Sequence, residues 1–313
     1  MKIPLLVIAG PTGVGKTATA VALARRVPLE VVSADSRQVY RGMDAATGKP
    51  SAAECRAAVH HLIDIVDPDE RYHAARFAAE ARAAIADIHS RGRLPTVVGG
   101  TGFYIRALLR GLDPAPPADP EFRRDLDAVV AREGRTALHA RLGREAPALA
   151  RRLHPHDAVR VIRALERVRA LGAGDAERWR WTRERTEDYE TVYVGLTMER
   201  VALRRRLAER AAAMVAAGLA DEVRGLLARG YGAGLPAMHG IGYREFVQVV
   251  QGQLSEVDAL RAMQRETARY ARRQWTWFAR EPEIQWLDLA LAGGPAGAAA
   301  IVERRLREGG LIR

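Results

Sequence analysis

An apolar run at residues 3–9 leads straight into Gly10-Pro11-Thr12-Gly13-Val14-Gly15-Lys16-Thr17, and a helical pattern follows to residue 25. This is the G-x-x-x-x-G-K-[ST] loop in its required setting, with a strand before it and a helix after it. The backbone N–H groups of such a loop turn inward and cradle phosphate oxygens at a helix N-terminus. Lys16 is expected to bridge the phosphates, with the Thr17 hydroxyl near a magnesium ion. The chain is thereby committed to an α/β fold that binds a di- or triphosphate.

The alternation continues. Strands are expected at 29–34, 62–66 and 94–98, with helices at 74–90 and 103–109. Strand–helix alternation implies a parallel sheet with helices on both faces, and ligands at the carboxyl ends of its strands. Gly10, Asp35 and Gly99 all stand at such ends, so three motifs converge on one rim. At residues 113–120, D-P-A-P-P-A-D-P, four prolines break the pattern. From there to about residue 190 the chain reads as helical with no strand candidate. A strand at 191–197 returns it to the sheet, followed by helices at 200–217, 219–229, 243–251 and 255–279, a weak strand at 284–289 and a helix at 297–307. The expected organisation is a phosphate-loop core in two parts, 1–112 and 191–313, with a helical insertion at 113–190.

The net charge of +11 makes a polyanionic partner plausible. Only three of the 49 basic residues are lysines, Lys2, Lys16 and Lys49. Lys16 stands where a compact ammonium is required, and Lys49 invites the same reading more weakly. The single cysteine, Cys55, excludes an internal disulfide and a cysteine-based zinc site, and points to a reducing compartment. No run has the length of a membrane-spanning helix, and the chain opens without the shape of a signal peptide. A cytoplasmic monomer is the plain expectation.

Five constellations could carry chemistry. Asp35, within Ser33-Ala34-Asp35-Ser36-Arg37-Gln38, could hold magnesium, act as a general base, or cap a following helix. The strand at 94–98 ends in Gly99-Gly100-Thr101-Gly102, where nucleotide hydrolases and ordinary kinases usually place a metal-binding Asp; glycines there let a ligand approach the backbone. His60-His61 point to opposite faces of a strand, which favours a structural role over a metal site. Arg206 and Arg210 share a helical face, and residues 265–280 interleave arginines with Tyr270, Trp275, Trp277 and Phe278, a mixture that suits phosphates and bases. Trp277 and Phe278 read better as core.

Together these segments resemble the bacterial tRNA dimethylallyltransferases, enzymes that modify adenosine 37 beside the anticodon. The resemblance runs through G-P-T-x-x-G-K-T (10–17), S-A-D-S-x-Q-V-Y-R-G-M-D (33–44), T-x-K-P (47–50), H-H-L-I-D (60–64) and V-G-G-T-G-x-Y (98–104). It continues through D-x-x-R-x-x-R-A-L-E (157–166), R-[IL]-x-x-R-x-x-x-M (206–214), I-G-Y-[KR]-E (241–245) and R-R-Q-x-T-W-F ending at Phe278. It covers nearly the whole chain. Departures are Ala45-Ala46-Thr47-Gly48-Lys49-Pro50 where I-G-T-A-K-P is usual, His73 where Ser or Thr is usual, Ala146 for a usual Asp before Pro147, and His156 for Asn.

The resemblance implies transfer of a dimethylallyl group from dimethylallyl diphosphate to the N6 amine of adenosine 37 in tRNA, with Mg²⁺ as cofactor. The phosphate loop then holds the diphosphate, with Arg210 as a second clamp and Arg206 a weaker candidate. Asp35 becomes the base toward the amine, and Thr101 borders the reacting centre. The tRNA side takes in Asp35, Ser36, Arg37, Gln38, Thr101, Arg123, Val159, Arg160, Val161, Ile162, Arg163, His239, Gly240, Ile241, Gly242, Tyr243 and Arg244. A small-molecule kinase explains the phosphate loop and Asp35 but not the missing strand-end Asp or the basic aromatic helix. A non-catalytic RNA-binding switch would not need Lys16, Asp35, Thr101 and Arg210 at one rim. A transferase acting on free adenylate would not need the insertion.

Overall fold

The computed structural model describes residues 2–113, 116, 119–178 and 188–312. Six parallel strands form one sheet: β1 (Ile3–Ala9), β2 (Leu29–Ala34), β3 (His60–His61), β4 (Leu94–Gly99), β5 (Tyr189–Thr197) and β6 (Gln285–Asp288). Their order across the sheet is β3-β2-β4-β1-β5-β6. β2 and β4 are buried along their whole length, as parallel strands covered on both faces must be. Leu6, Ile8, Val31, Val98 and Val194 lie in one core cluster. Each such side chain contributes roughly 1.5–3 kcal/mol by leaving water.

Helices α1 (Lys16–Ala24), α2 (Ala52–Ala57), α3 (Ala74–Ser90) and α4 (Gly102–Arg110) belong to the first half. α3 buries Phe77, Ile85 and Ile88 on one face. His73, the departure from the usual Ser or Thr, still caps it, for its Nδ1 accepts from the Arg76 N–H at 3.2 Å.

Five helices follow: α5 (Pro120–Glu133), α6 (Arg135–Glu145), α7 (Pro147–Ala150), α8 (Ala158–Leu171) and α9 (Ala173–Arg178). They form a compact unit over 110–184, with Phe122, Leu126, Leu138, Leu142, Val161 and Leu165 as its own core. The other unit comprises 1–109 and 185–313. It contains the sheet and α10 (Arg200–Ala216), α11 (Leu219–Ala228), α12 (Tyr243–Val250), α13 (Glu256–Phe278) and α14 (Gly294–Glu308). Among the described residues, no helix is long and apolar enough to cross a membrane.

The third strand differs from expectation. It covers His60–His61 and stops before 62–66, because Leu62 and Asp64 have φ of 62° and 56°, which breaks an extended run. Asp64 is held there by the Lys49 ammonium, which also donates to Tyr40 O at 2.7 Å and Asp44 Oδ1 at 2.5 Å. Three converging acceptors are a task for a compact ammonium and not for a planar guanidinium. The neighbouring histidines take separate partners. His60 Nδ1 meets Ala58 O at 2.8 Å, and His61 Nε2 meets the buried Glu30 at 2.7 Å. Helix α2 was not legible in the sequence; its capping box pairs Ser51 with Glu54.

Candidate active site

Registry places the three rim motifs side by side. Gly99 of β4 stands level with Ala34 on one side and Ala9 on the other. The next residues in each strand therefore leave the sheet together: Gly10 toward the phosphate loop, Asp35 from β2, and Gly100-Thr101 from β4.

Lys16 opens α1, and its ammonium donates to Gly10 O at 3.0 Å and Pro11 O at 2.9 Å. Burial lowers the Lys16 pKa to about 8; the Asp35 carboxylate works to raise it, and Arg210 to lower it further. The Arg210 guanidinium is likewise lowered by burial, with Asp35 opposing and Arg206 adding to the effect. Lys16, Asp35 and Arg210 thus form one electrostatic cluster. Arg206, one turn back on α10, is exposed.

Asp35 caps no helix, since none follows before Ala52. Its Oδ1 accepts from the Arg37 N–H at 2.8 Å, an Asx-type turn that fixes the carboxylate at the rim. Thr101 Oγ1 accepts from the Ser36 N–H at 3.1 Å, and Tyr270 lies near it. The Tyr270 pKa is pushed up to about 12, first by burial and then by Asp35.

Asp35, Arg210 and Tyr270 line a cavity of about 300 Å³. Polar groups come from Thr12, Asp35, Ser36, Arg37, Thr47, Arg210, His239, Arg244, Tyr270 and Arg273, and apolar surface from Leu207, Ala211, Met214, Ile241 and Met263. Thr12 of the phosphate loop, four arginines and a carboxylate thus share one chamber with an apolar lining. That can hold a diphosphate ester with a short hydrocarbon and accept a proton nearby.

Other expected residues serve as bracing. Gln38 accepts from Ser33 Oγ at 2.9 Å and donates to Gly48 O at 2.8 Å. Tyr243 is buried, and its hydroxyl donates to Glu222 at 2.6 Å. Gly242 offers its N–H to the buried Glu245 at 2.7 Å, and Glu245 also holds Arg244 Nε at 2.6 Å. Gly240 accepts the Arg244 N–H at 3.1 Å. These residues shape the loop that carries His239, Ile241 and Arg244 into the cavity.

In the helical unit, Val161 is fully buried, whereas Val159 is 81 % exposed and Arg160 is exposed beside it. Ile162 is half-buried against the unit's core. Arg123 makes a two-point pair with the buried Glu166, at 2.6 and 3.0 Å, and Arg163 joins it at 2.9 Å. Burial works to raise the Glu166 pKa, but the hydrogen bonds from Arg123 and Arg163 more than offset it, and the pKa is lowered. Arg123 is thus an internal tie as well as a surface cation.

Gln274 is the residue that sequence reasoning passed over. Its side chain accepts from the Thr12 N–H at 2.9 Å and donates to Gly100 O at 2.8 Å. The only signal was its place inside the R-R-Q-x-T-W-F segment, where its arginine and aromatic neighbours drew attention first. Phe278 is core as expected. Trp277 packs beneath the Arg106 guanidinium, 4.3 Å from the ring centre, and edge-on to Phe103.

Among the described residues, no group of three or more His, Cys, Asp or Glu side chains could hold a metal ion. The Thr17 hydroxyl, on the second residue of α1, is the donor that the phosphate-loop pattern offers an ion carried by phosphate oxygens.

Comparison with known proteins agrees with this geometry. The IPP transferase family profile matches residues 38–281, and the isopentenyl transferase profile matches residues 3–65. The tRNA dimethylallyltransferase of Anaeromyxobacter dehalogenans (strain 2CP-C) is 49 % identical over 301 residues, covering 96 % of this chain and 99 % of its own. A tRNA dimethylallyltransferase 1 of Syntrophotalea carbinolica is 49 % identical, covering 91 % of each chain. The crystal structure of a tRNA isopentenylpyrophosphate transferase from Bacillus halodurans matches with a TM-score of 0.73 at 38 % identity, over 99 % of this chain and 98 % of that one. A eukaryotic dimethylallyltransferase acting on tRNA matches with a TM-score of 0.80 at 27 % identity, over 99 % of this chain and 80 % of that one. The chain belongs to the tRNA dimethylallyltransferase family.

Proposed function

We propose that the protein transfers the dimethylallyl group of dimethylallyl diphosphate to the N6 amine of adenosine 37 in tRNA, releasing diphosphate. The reading rests above all on one cavity that joins Thr12 of the phosphate loop, the Arg210 guanidinium, an apolar wall and the Asp35 carboxylate.

The allylic C–O bond breaks and negative charge builds on the leaving diphosphate. The loop N–H groups, Lys16 and Arg210 stabilise that charge, which exceeds its ground-state value and so lowers the barrier. Thr17 would help hold Mg²⁺, which when bound with the diphosphate would neutralise further charge on the leaving group. The N6 lone pair forms the new C–N bond, and Asp35 accepts the amine proton. Thr101 and Tyr270 border the place where the two substrates meet. The adenine must leave its stack to enter a chamber of this size. His239 and Arg244 stand at the cavity on the RNA side, and the helical unit is assigned to the anticodon stem. The protein is expected to act as a monomer in the cytoplasm.

The test is incubation with Mg²⁺, radiolabelled dimethylallyl diphosphate and unmodified tRNA, with AMP and ATP as parallel acceptors. Label in tRNA alone, at adenosine 37 after nuclease mapping, is the expected result. Label in free nucleotide would overturn the RNA assignment, and ATP consumption without transfer would point to a kinase.

A further inference from the structure

Helices α10 and α13 pack side by side. Arg210 and Met214 of α10 and Tyr270 and Arg273 of α13 face the cavity. The same pair also bounds a separate groove of about 650 Å³. Its lining carries five exposed arginines: Arg204 from α10, and Arg261, Arg265, Arg269 and Arg272 from α13. Gln264 Nε2 donates to Ala208 O at 3.2 Å across the junction of the helices.

The charge there is under-compensated. Arg261 reaches Asp258 at 3.4 Å and Arg269 reaches Glu266 at 2.6 Å. Among the described residues, Arg204, Arg265 and Arg272 have no carboxylate within ion-pair distance. Arg261, Arg265 and Arg269 follow one another at i, i+4 spacing, a like-charge arrangement that works against the helix. The row from Arg261 to Arg272 extends about 16 Å along α13 at 1.5 Å per residue. That is long for a single phosphate group and suits a chain of them. The rest of the lining is two alanines and a glutamine, so the aromatic and aliphatic anchors of a protein interface are missing. Guanidinium forks match phosphate oxygens in pairs.

We propose that this groove is a second RNA-binding surface, which takes backbone phosphates of the tRNA substrate away from the reacting adenosine. The proposal rests on the tRNA-transfer reading. The two helices that line the cavity then also anchor the RNA.

The test is the double variant Arg204→Gln/Arg265→Gln in the full-length protein, with Arg204→Lys/Arg265→Lys as the charge-retaining partner. Full-length tRNA binding is measured without donor over a salt series, and transfer is measured beside it. The expected result is a log–log salt slope shallower by about 1.4 to 1.8, two phosphate contacts at roughly 0.7–0.9 each. The KM for dimethylallyl diphosphate and the rate at saturating tRNA stay unchanged, and the lysine pair keeps most of the slope. An unchanged slope in an active protein would overturn the groove assignment alone. A raised KM for dimethylallyl diphosphate with an unchanged slope would overturn it in favour of a small-anion role. A wild-type protein that binds tRNA but transfers nothing would overturn the transfer reading while the slopes still decide the groove.

Discussion

The Gln274 side chain donates to the Gly100 carbonyl at 2.8 Å inside the protein, joining α13 to the end of β4 across 174 residues of sequence. Its oxygen holds the Thr12 N–H, so the phosphate loop and the Gly-Gly-Thr turn share one brace. A Cβ on residue 100 would overlap the Gln274 amide, so glycine is required for the contact. Gln274→Ala should orphan one donor and one acceptor, at roughly 1–3 kcal/mol each. Chemical denaturation should show a lowered midpoint, and the KM for dimethylallyl diphosphate should rise as the loop loosens. An unchanged midpoint would show that water replaces the amide without loss.

Asp35→Asn tests the base while sparing the turn. The asparagine oxygen can still accept the Arg37 N–H. Turnover should fall by roughly 10²–10⁴-fold with tRNA affinity nearly intact. Normal turnover would remove Asp35 from the proton transfer.

Lys16 titrates at about 8 in the free protein, against its ordinary 10.5. A lysine with a lowered folded pKa costs stability while charged, so the free protein should gain stability as pH rises from about 8 toward 10.5. A bound diphosphate needs the charged form. Binding of a non-reactive dimethylallyl diphosphate analogue should therefore take up protons above pH about 8, beyond the ligand's own titration, and Lys16→Ala should abolish that part. Calorimetry in buffers of different ionisation enthalpy would measure it, and equal uptake in both proteins would refute the assignment.

Gly48 stands where the family pattern I-G-T-A-K-P has alanine, and the Arg210 guanidinium occupies the space a Cβ would take there. With φ at 63°, Gly48→Ala should cost about 1–2 kcal/mol of stability. The guanidinium is the free end of a flexible chain and can swing aside, so the KM for dimethylallyl diphosphate should change by less than about tenfold. Arg210→Ala should raise it by roughly ten- to hundredfold, the loss of a charged hydrogen bond. Equal effects of the two variants would mean that Arg210 acts only in this one orientation.

Arg123→Ala should soften the salt dependence of tRNA binding, and the structure adds a second effect. Glu166 is buried and keeps one cation, Arg163, and the Asp119 N–H at 3.2 Å once Arg123 is gone. The helical unit should lose roughly 1–3 kcal/mol. The Glu166 pKa is lowered in the folded chain, so this contribution is present above the ordinary Glu value and fades as pH falls below it. Thermal melts at pH 7 and pH 4 should differ less for the variant than for the parent.

The sequence by itself determined the phosphate loop, the order of the long elements and the family, because each depends on local periodicity or on a contiguous motif; the expected break at 113–120 lies partly outside the described residues. The strand ends of β1, β2 and β4 could even be placed on one rim by the rule for parallel sheets. The tertiary structure alone decided which side chains face the cavity. Gln38, Tyr243 and Val161 lie in segments that read as RNA-facing, yet each turns inward, since packing fixes orientation and a motif does not record it. Gln274 meets Thr12 and Gly100 through contacts of 262 and 174 residues in separation. Arg123 carries the same charge in either role, and only the burial of Glu166 beside it makes that charge a structural tie. The strand expected at 62–66 failed for the same reason: an ion pair between Lys49 and Asp64, formed across the fold, holds the backbone where an extended run cannot continue.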